Sequence, residues 1–373
     1  MTLPTRLPLP ARPTATDFRW RREDTIRTAG LLAVIVALHV VAFGILFLLV
    51  VPERYKVGSE AFGIGLGVTA YTLGMRHAFD ADHIAAIDNT TRKLVAENGR
   101  AKTHTVGFWF ALGHSSIVFV MVALLALGVR ALAGPIEDEG SSLHRWTGLW
   151  GTSISGTFLI AIGLLNLASL IGIWKVYRRM RGGDLDEARL EHELEHRGAL
   201  NRILGPVVKL VRKPWQMYPV GLLFGLGFDT VTEVGLLVIA GGAAATGLPW
   251  YTILVLPVLF SAGMALFDSL DGSFMSYAYD WAFARPVRKI YYNLVITGLS
   301  VAVALLIGVQ EIVSIFVERL DITTGFVAWI GNLDLGDLGF VIVGLFVLTW
   351  AVAIAVWRLT DMETRWERDL AAD

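Results

Sequence analysis

The sequence contains no cysteine among its 373 residues. Disulfide bonds and thiolate metal sites are therefore excluded, and any metal site must use nitrogen and oxygen ligands. Charge is also scarce, since only 17% of the residues are Asp, Glu, Lys or Arg and the formal net charge is −1. Such a chain lacks the excess of basic residues typical of nucleic-acid-binding proteins, so we expect no nucleic-acid partner.

Apolar residues are abundant. They make up 54% of the chain, and the mean hydropathy is +0.58. This composition excludes a disordered chain and predicts an all-α polytopic membrane protein. No small-residue cleavage site closely follows the first apolar run, so we expect that run to be a retained membrane span rather than a signal peptide.

Apolar stretches long enough to cross a bilayer, about 20 residues each, occur eight times along the chain. We predict a segment at 1–28, four spans within 29–174, a mixed-charge linker at 175–214, four spans within 215–357 and a tail at 358–373. The eight predicted spans are residues 29–51, 60–88, 106–133, 149–174, 216–245, 251–279, 291–317 and 338–357.

Lysine and arginine are distributed unevenly between the connecting segments. If the N-terminus is cytoplasmic, the segments on that side carry 26 of these residues and the segments on the other side carry five. Cytoplasmic loops of membrane proteins hold the excess of positive charge. We therefore predict that both termini and the 175–214 linker face the cytoplasm.

Short similarities relate the two halves of the chain. GMRHAFDADHIA in span two resembles GLGFDTVTEVGL in span five, and FALGHSSIVF in span three resembles FSAGMALFDS in span six. Spans two and five would run in opposite directions, which favours an inverted repeat. Secondary transporters built from inverted repeats bind their substrate between the repeats, near the middle of the membrane.

Spans two, three, five and six carry acidic and histidine side chains, although a charged group at the bilayer centre costs about 2.5–3.5 kcal/mol on insertion scales. Acids outnumber bases, so the group would repel itself unless it is protonated or binds a cation. Imidazoles favour Ni²⁺, Co²⁺, Cu²⁺ or Zn²⁺ over cations that prefer oxygen ligands. The residues are His77, Asp80, Asp82, His83, Asp88, His114, Asp229, Glu233, Asp268 and Asp271.

Helical spacing constrains the site in span two. At about 100° per residue, a regular helix presents His77, Asp80 and His83 on one side and Asp82 on the opposite side. Two explanations are consistent with this pattern: Asp82 supports a ligand without touching the metal, or the helix is distorted. In spans five and six, acids spaced by four and by three residues lie on one helix face each.

Four segments, taken together, resemble the nickel–cobalt transporter (NiCoT) family of secondary permeases. The likeness covers roughly residues 60–290, and the first segment fits the family's H-x4-D-H signature. The segments are RHAFDADHI (76–84), FALGHSSIVF (110–119), LGFDTVTEV (226–234) and GMALFDSLDG (263–272).

The resemblance implies uptake of Ni²⁺ and Co²⁺ across the bacterial cytoplasmic membrane by a multi-pass protein, without an ATPase subunit or a prosthetic group. The signature carries His77, Asp82 and His83 over as metal-site residues. No residue distinguishes a preference for nickel from one for cobalt. We expect metal to be bound by His77, Asp80, Asp82, His83 and His114, with translocation supported by Asp88, Asp229, Glu233, Asp268 and Asp271.

Two other functions are consistent with parts of the sequence. A related efflux branch often has a long His-rich linker, whereas this linker holds only His192 and His196, which favours uptake. An H-x4-D pattern also occurs in membrane acyltransferases, where His acts as general base and Asp orients it. An acyltransferase site would leave the acids of spans five and six without a role.

The remaining histidines are expected to be structural or solvated. His39 has no acidic neighbour in its span, so we interpret it as a packing residue. His104, His144, His192 and His196 are expected in solvated loops. Because metal ligation requires neutral imidazole, uptake should fall at acid pH.

Overall fold

The structure is a computed structural model that describes residues 22–57, 60–98, 103–126, 142–180, 211–226, 248–283, 286–333 and 338–359. Within these ranges the fold is all-helical apart from two antiparallel two-residue strands, β1 (Lys56–Val57) and β2 (Glu60–Ala61). Five described helical stretches are long and apolar enough to cross a membrane, as expected of a multi-pass protein. They are Thr25–Val50, Val106–Leu124, Gly148–Gly172, Trp250–Asp280 and Leu294–Arg319.

The described helices follow the apolar runs of the sequence. The first helix ends in one π-helical segment at Leu46–Val50. The helices are α1 (Arg22–Ile45), α2 (Ile64–His77), α3 (Ala81–Asn98), α4 (Val106–Ala126), α5 (Ser142–Met180), α6 (Met217–Phe224), α7 (Trp250–Phe283), α8 (Pro286–Arg319), α9 (Phe326–Gly331) and α10 (Leu338–Leu359).

The second predicted span is interrupted. α2 ends at His77 and α3 begins at Ala81, and a tight turn joins them, in which the N–H of Asp80 donates to the His77 carbonyl at 3.0 Å. Neither helix alone is among the five stretches that could cross a membrane. The distorted helix, one of the two explanations offered from the spacing, is therefore what the structure contains.

α3 also extends ten residues beyond the predicted end of the span at residue 88. The residues between spans two and three were expected to form a cytoplasmic connection, and among them Arg92 is 5% exposed and Lys93 is 4% exposed. These charged groups are buried because they have polar partners on neighbouring segments, and the cytoplasmic location of this part of the chain stays a prediction.

The other predicted spans agree with the helices to different extents. α4, α5, α7 and α8 coincide with spans three, four, six and seven. α10 coincides with span eight, although its apolar part, Leu338–Val352, is shorter than a full span. α6 covers the start of span five, and residues 227–247 lie outside the described residues. The eight-span count, the inverted repeat and the orientation stay predictions.

α3 occupies the centre of the described fold. It packs against α4, α5, α7, α8 and α10. Every residue from Ile84 to Val95 is at most 5% exposed, so this helix is buried on all sides. α3 therefore lies in the protein interior rather than against lipid.

Small residues allow α4 to approach its neighbours closely. A Cβ at Gly107 would clash with the carbonyl oxygen of Asp268 on α7, and a Cβ at Gly113 would clash with the carbonyl oxygen of Tyr218 on α6. Glycine at these two positions lets the backbones meet, as small residues do in membrane helix packing. The contacts place Asp268 and His114, which neighbours Gly113, at or next to points where helix backbones meet.

Candidate metal site

Three imidazoles meet at the turn between α2 and α3. His77 is the last residue of α2, His83 is the third residue of α3, and His114 lies on α4. One ring nitrogen from each lies within 4.8 Å of the others. The three side chains are 2%, 0% and 2% exposed, respectively. We call this group the histidine cluster.

The interruption of the helix is what brings two of these rings together. On a continuous helix the six steps from His77 to His83 would rise about 9 Å along the axis. In the structure their ring centroids are 4.6 Å apart, and each ring centroid lies 4.7 Å from that of His114. The turn at residues 78–80 therefore converts two separated side chains into neighbours.

A carboxylate oxygen lies near Nδ1 of two of the imidazoles. Asp80 Oδ2 is 2.7 Å from Nδ1 of His77, and Asp268 Oδ2 is 3.4 Å from Nδ1 of His83. A carboxylate on one ring nitrogen fixes the tautomer and directs the other nitrogen toward a metal. The Nε2 atoms of His77 and His83 would then be available as ligand atoms. The Asp80 side chain is 23% exposed, whereas that of Asp268 is fully buried.

Asp82 lies outside the histidine cluster. It occupies the first turn of α3, where its Oδ1 accepts the backbone N–H of His83 at 2.9 Å. An acidic side chain at a helix N-terminus stabilises the unpaired N–H groups there. This contact positions the start of α3 beside the cluster, and a metal-binding role for Asp82 stays a prediction.

The supporting acids are separated from the cluster to different degrees. Asp88 is fully buried further along α3, where the Tyr279 hydroxyl donates to its Oδ1 at 2.5 Å. Asp271 lies one helical turn beyond Asp268 on α7. Asp229 and Glu233 lie outside the described residues, so their relation to the cluster stays a prediction.

The predicted packing role of His39 is confirmed, whereas the predicted solvated loop positions of His104 and His144 were wrong. His39 has a packing role, with Nδ1 2.8 Å from the Ile35 carbonyl and Nε2 3.1 Å from the Tyr71 hydroxyl. His104 is 8% exposed rather than solvated, and His144 lies within α5 rather than in a loop. His192 and His196 lie outside the described residues.

Sequence reasoning missed the polar residues that follow Asp88 on α3. Asn89, Arg92 and Lys93 are buried at 0%, 5% and 4% exposure, and each contacts a different element. A signal for them was present, because Asp88 with Arg92 and Lys93 with Glu97 have the i,i+4 spacing of opposite charges on a helix. That spacing predicts that the helix continues beyond residue 88.

The histidine cluster is suited to a transition-metal ion. Neutral imidazole nitrogens bind Ni²⁺, Co²⁺, Cu²⁺ and Zn²⁺ well, whereas Mg²⁺ and Ca²⁺ prefer oxygen shells. Because the three rings are at most 2% exposed, an ion could reach them only after losing its water and after a movement of the surrounding helices. The site is therefore closed in this conformation.

Comparison with known proteins adds an independent finding. The sequence profile of the family described as High-affinity nickel-transport protein (NicO) matches residues 63–356. Nickel transporter NicT of Mycobacterium tuberculosis is 58% identical over 340 residues, which cover 91% of each chain. The High-affinity nickel-transport protein NixA of Helicobacter pylori is 41% identical over 87% of this chain and 95% of its own.

A relative described for another metal is also similar. The Cobalt transport protein NhlF of Rhodococcus rhodochrous is 38% identical over 90% of this chain and 93% of its own. No solved structure matches the chain. The similarities therefore extend over most of the chain and include proteins named for nickel and for cobalt.

Proposed function

Because the chain belongs to the high-affinity nickel-transport protein family, we propose that it is an uptake permease for Ni²⁺ and Co²⁺. It moves the ion into the cytoplasm across the bacterial cytoplasmic membrane as a secondary transporter, without an ATPase subunit. The observation that carries the proposal is the buried histidine cluster at the turn between α2 and α3. Interrupted helices of this kind form substrate sites in secondary transporters.

The spacing of the imidazoles supports a single shared ion. One ring nitrogen from each of His77, His83 and His114 lies within 4.8 Å of the others, so one ion could contact all three after small side-chain shifts. Imidazole ligands suit Ni²⁺, Co²⁺, Cu²⁺ and Zn²⁺ alike, so the competition experiment below distinguishes among these ions.

The carboxylates support an ordered path for the ion. Asp80 is the partly exposed member of the group, so a hydrated cation meets it before the buried imidazoles. His77, His83 and His114 then replace the water molecules, while Asp268 compensates charge from the opposite side. An inside-negative membrane potential drives a divalent ion inward by about 4.6 kcal/mol per 100 mV, which is twice the single-charge value.

The experiment that tests the function is accumulation of ⁶³Ni²⁺ by cells that express the protein or its His77→Ala variant, with Co²⁺ and Zn²⁺ as competitors. We expect accumulation by the wild type, displacement by Co²⁺ more than by Zn²⁺, and loss of accumulation in the variant. His104→Ala is the matched control, because His104 is also buried but is not part of the cluster.

Two results would contradict the proposal in different ways. Absence of accumulation above that of empty cells would refute uptake, and increased resistance to external nickel would then indicate efflux by the same fold. Normal accumulation by His77→Ala would leave transport intact but refute the histidine cluster as the metal site.

A further inference from the structure

A stretch of consecutive polar residues lies buried in the middle of α3. The six residues from Asp88 to Lys93 are at most 5% exposed, and buried apolar residues precede and follow them. The stretch begins five residues after His83, about 7.5 Å further along the helix axis. Buried ionisable groups in membrane proteins are costly and mark ion pathways. This stretch is therefore the next polar region that an ion meets when it leaves the histidine cluster along α3.

The start of this stretch is bridged to two other helices. The Tyr279 hydroxyl on α7 donates to Asp88 Oδ1 at 2.5 Å, and it lies 3.0 Å from the Ser300 hydroxyl on α8. The three side chains are at most 1% exposed. The Tyr279 hydroxyl thus connects α3, α7 and α8 at one point, further along α3 than the histidine cluster.

Two positive charges lie beyond this bridge. Arg92 donates to the Thr297 hydroxyl on α8 at 3.1 Å, and Lys93 donates to the Val211 carbonyl at 2.6 Å. A divalent cation that travels along α3 past Asp88 meets these two cations next, and like charges repel strongly where water is excluded. Their position therefore opposes passage of the ion.

Lys93 has a second partner within reach. Its Nζ is 3.9 Å from a carboxylate oxygen of Glu97, whose side chain is 36% exposed. Movement from the buried Val211 carbonyl to Glu97 would carry the ammonium group away from the interior. Both partners are within reach of the ammonium group in this one conformation, so a small shift toward Glu97 would exchange the buried hydrogen bond for the ion pair.

We propose that Asp88, Tyr279 and Ser300 form the inner gate of the transport path, with Arg92 and Lys93 as a positive barrier behind it. This inference rests on the proposed transport function and on the predicted orientation, in which the end of α3 faces the cytoplasm. The gate is closed in this conformation, in agreement with imidazoles that are at most 2% exposed. It opens when the Tyr279 bridge breaks and Lys93 transfers from Val211 to Glu97, which moves positive charge out of the path.

The test uses the absence of native cysteine. An Ala86→Cys reporter places one thiol on α3 between the cluster and the gate, at a residue that is fully buried. Its rate of modification by a membrane-impermeant thiol reagent is measured in inside-out and right-side-out vesicles, with and without Tyr279→Phe. Loss of one hydrogen bond to a charged group should accelerate modification from the cytoplasmic face roughly tenfold.

Matched variants keep the test independent of folding defects. Tyr277→Phe, on the same helix but at a residue that is 41% exposed, should leave the rate unchanged. Ser300→Ala removes the other side of the bridge and should accelerate cytoplasmic modification as Tyr279→Phe does. Glu97→Gln should slow ⁶³Ni²⁺ uptake while leaving ⁶³Ni²⁺ binding by the purified protein unchanged.

Several outcomes would overturn the gate. An unchanged rate in both bridge variants, or equal acceleration from both faces, would show that the bridge only holds the helices together. Unchanged uptake in Glu97→Gln would refute the switch at Lys93. Uptake by the wild-type protein is measured in the same vesicles, so its absence refutes the transport function, whereas its presence with unchanged modification refutes the gate alone.

Discussion

The Nε2 atoms of His77 and His114 lie 2.9 Å apart, although the two residues belong to different helices. Without a metal, one nitrogen must donate a proton and the other must accept it, because two lone pairs or two N–H groups would repel each other at this distance. A metal ion bound to both nitrogens would displace the proton between them, and the ring that gives it up could carry it on Nδ1 instead. Metal binding and the tautomers of this pair would therefore be linked.

Removal of one member of this pair is the most direct test of the cluster. We expect His114→Gln to lower the initial rate of ⁶³Ni²⁺ uptake at low external nickel by more than about a hundredfold, since loss of an outer-sphere partner alone typically costs 10–100-fold. His104→Gln is the control, because it changes a buried histidine outside the cluster. Uptake by His114→Gln within about twofold of the control would exclude His114 as a ligand.

Protons should compete with the metal for the same nitrogens. As the external pH falls from about 7 to about 5, protonation of imidazole should reduce ⁶³Ni²⁺ uptake, since a protonated ring has no lone pair for the ion. The measurement requires vesicles in which the membrane potential is held constant by a potassium gradient and valinomycin. Uptake that rises toward acid pH would contradict imidazole ligation.

Two substitutions of Asp82 distinguish a positioning role from a metal-binding role. Asp82→Asn keeps a side-chain oxygen that can accept the His83 N–H, whereas Asp82→Ala removes it. We expect uptake to fall several-fold further in the alanine variant than in the asparagine variant. An equally complete loss in both would instead assign the carboxylate to the metal.

Close packing of α4 against α7 can be tested by adding a single methyl group. Gly107→Ala places a Cβ against the carbonyl oxygen of Asp268 and should destabilise the purified protein by about 1–3 kcal/mol. Gly344→Ala is the matched control, since no atom lies within 4 Å of the added Cβ there. Thermal unfolding in detergent measures both variants, and equal melting temperatures would refute the tight contact.

The sequence was sufficient for the family and for the membrane character of the fold. Four motifs in order predicted a nickel–cobalt transporter, and this is confirmed by the family match across residues 63–356. Long apolar runs predicted membrane helices, and five of the described helical stretches satisfy that requirement. These features were accessible because each depends on a contiguous segment of sequence.

The turn at residues 78–80 could not be located from the sequence. No proline marks it, and the nearest preceding glycine, Gly74, lies four residues before the turn begins. The structure shows Phe79 packed against Phe267 and Phe340, with ring centroids 5.3 Å and 4.7 Å away. These partners are remote in sequence, so the position of the interruption depends on tertiary contacts that helical spacing does not contain.

Burial of Arg92 and Lys93 was unpredictable for a related reason. Their charge predicted that the buried span ends at residue 88, whereas Thr297 and Val211 provide buried partners more than a hundred residues away. Polar groups can be buried when hydrogen-bonded, and such partners are invisible to a hydropathy window. Charge alone therefore does not predict how completely this part of α3 is buried among the other helices.

The interruption between α2 and α3 places His77 and His83 on two separate rods. Under the proposed function, an ion bound to both would also influence the angle between α2 and α3. Ions with different preferred bond angles would then favour different angles between these two helices.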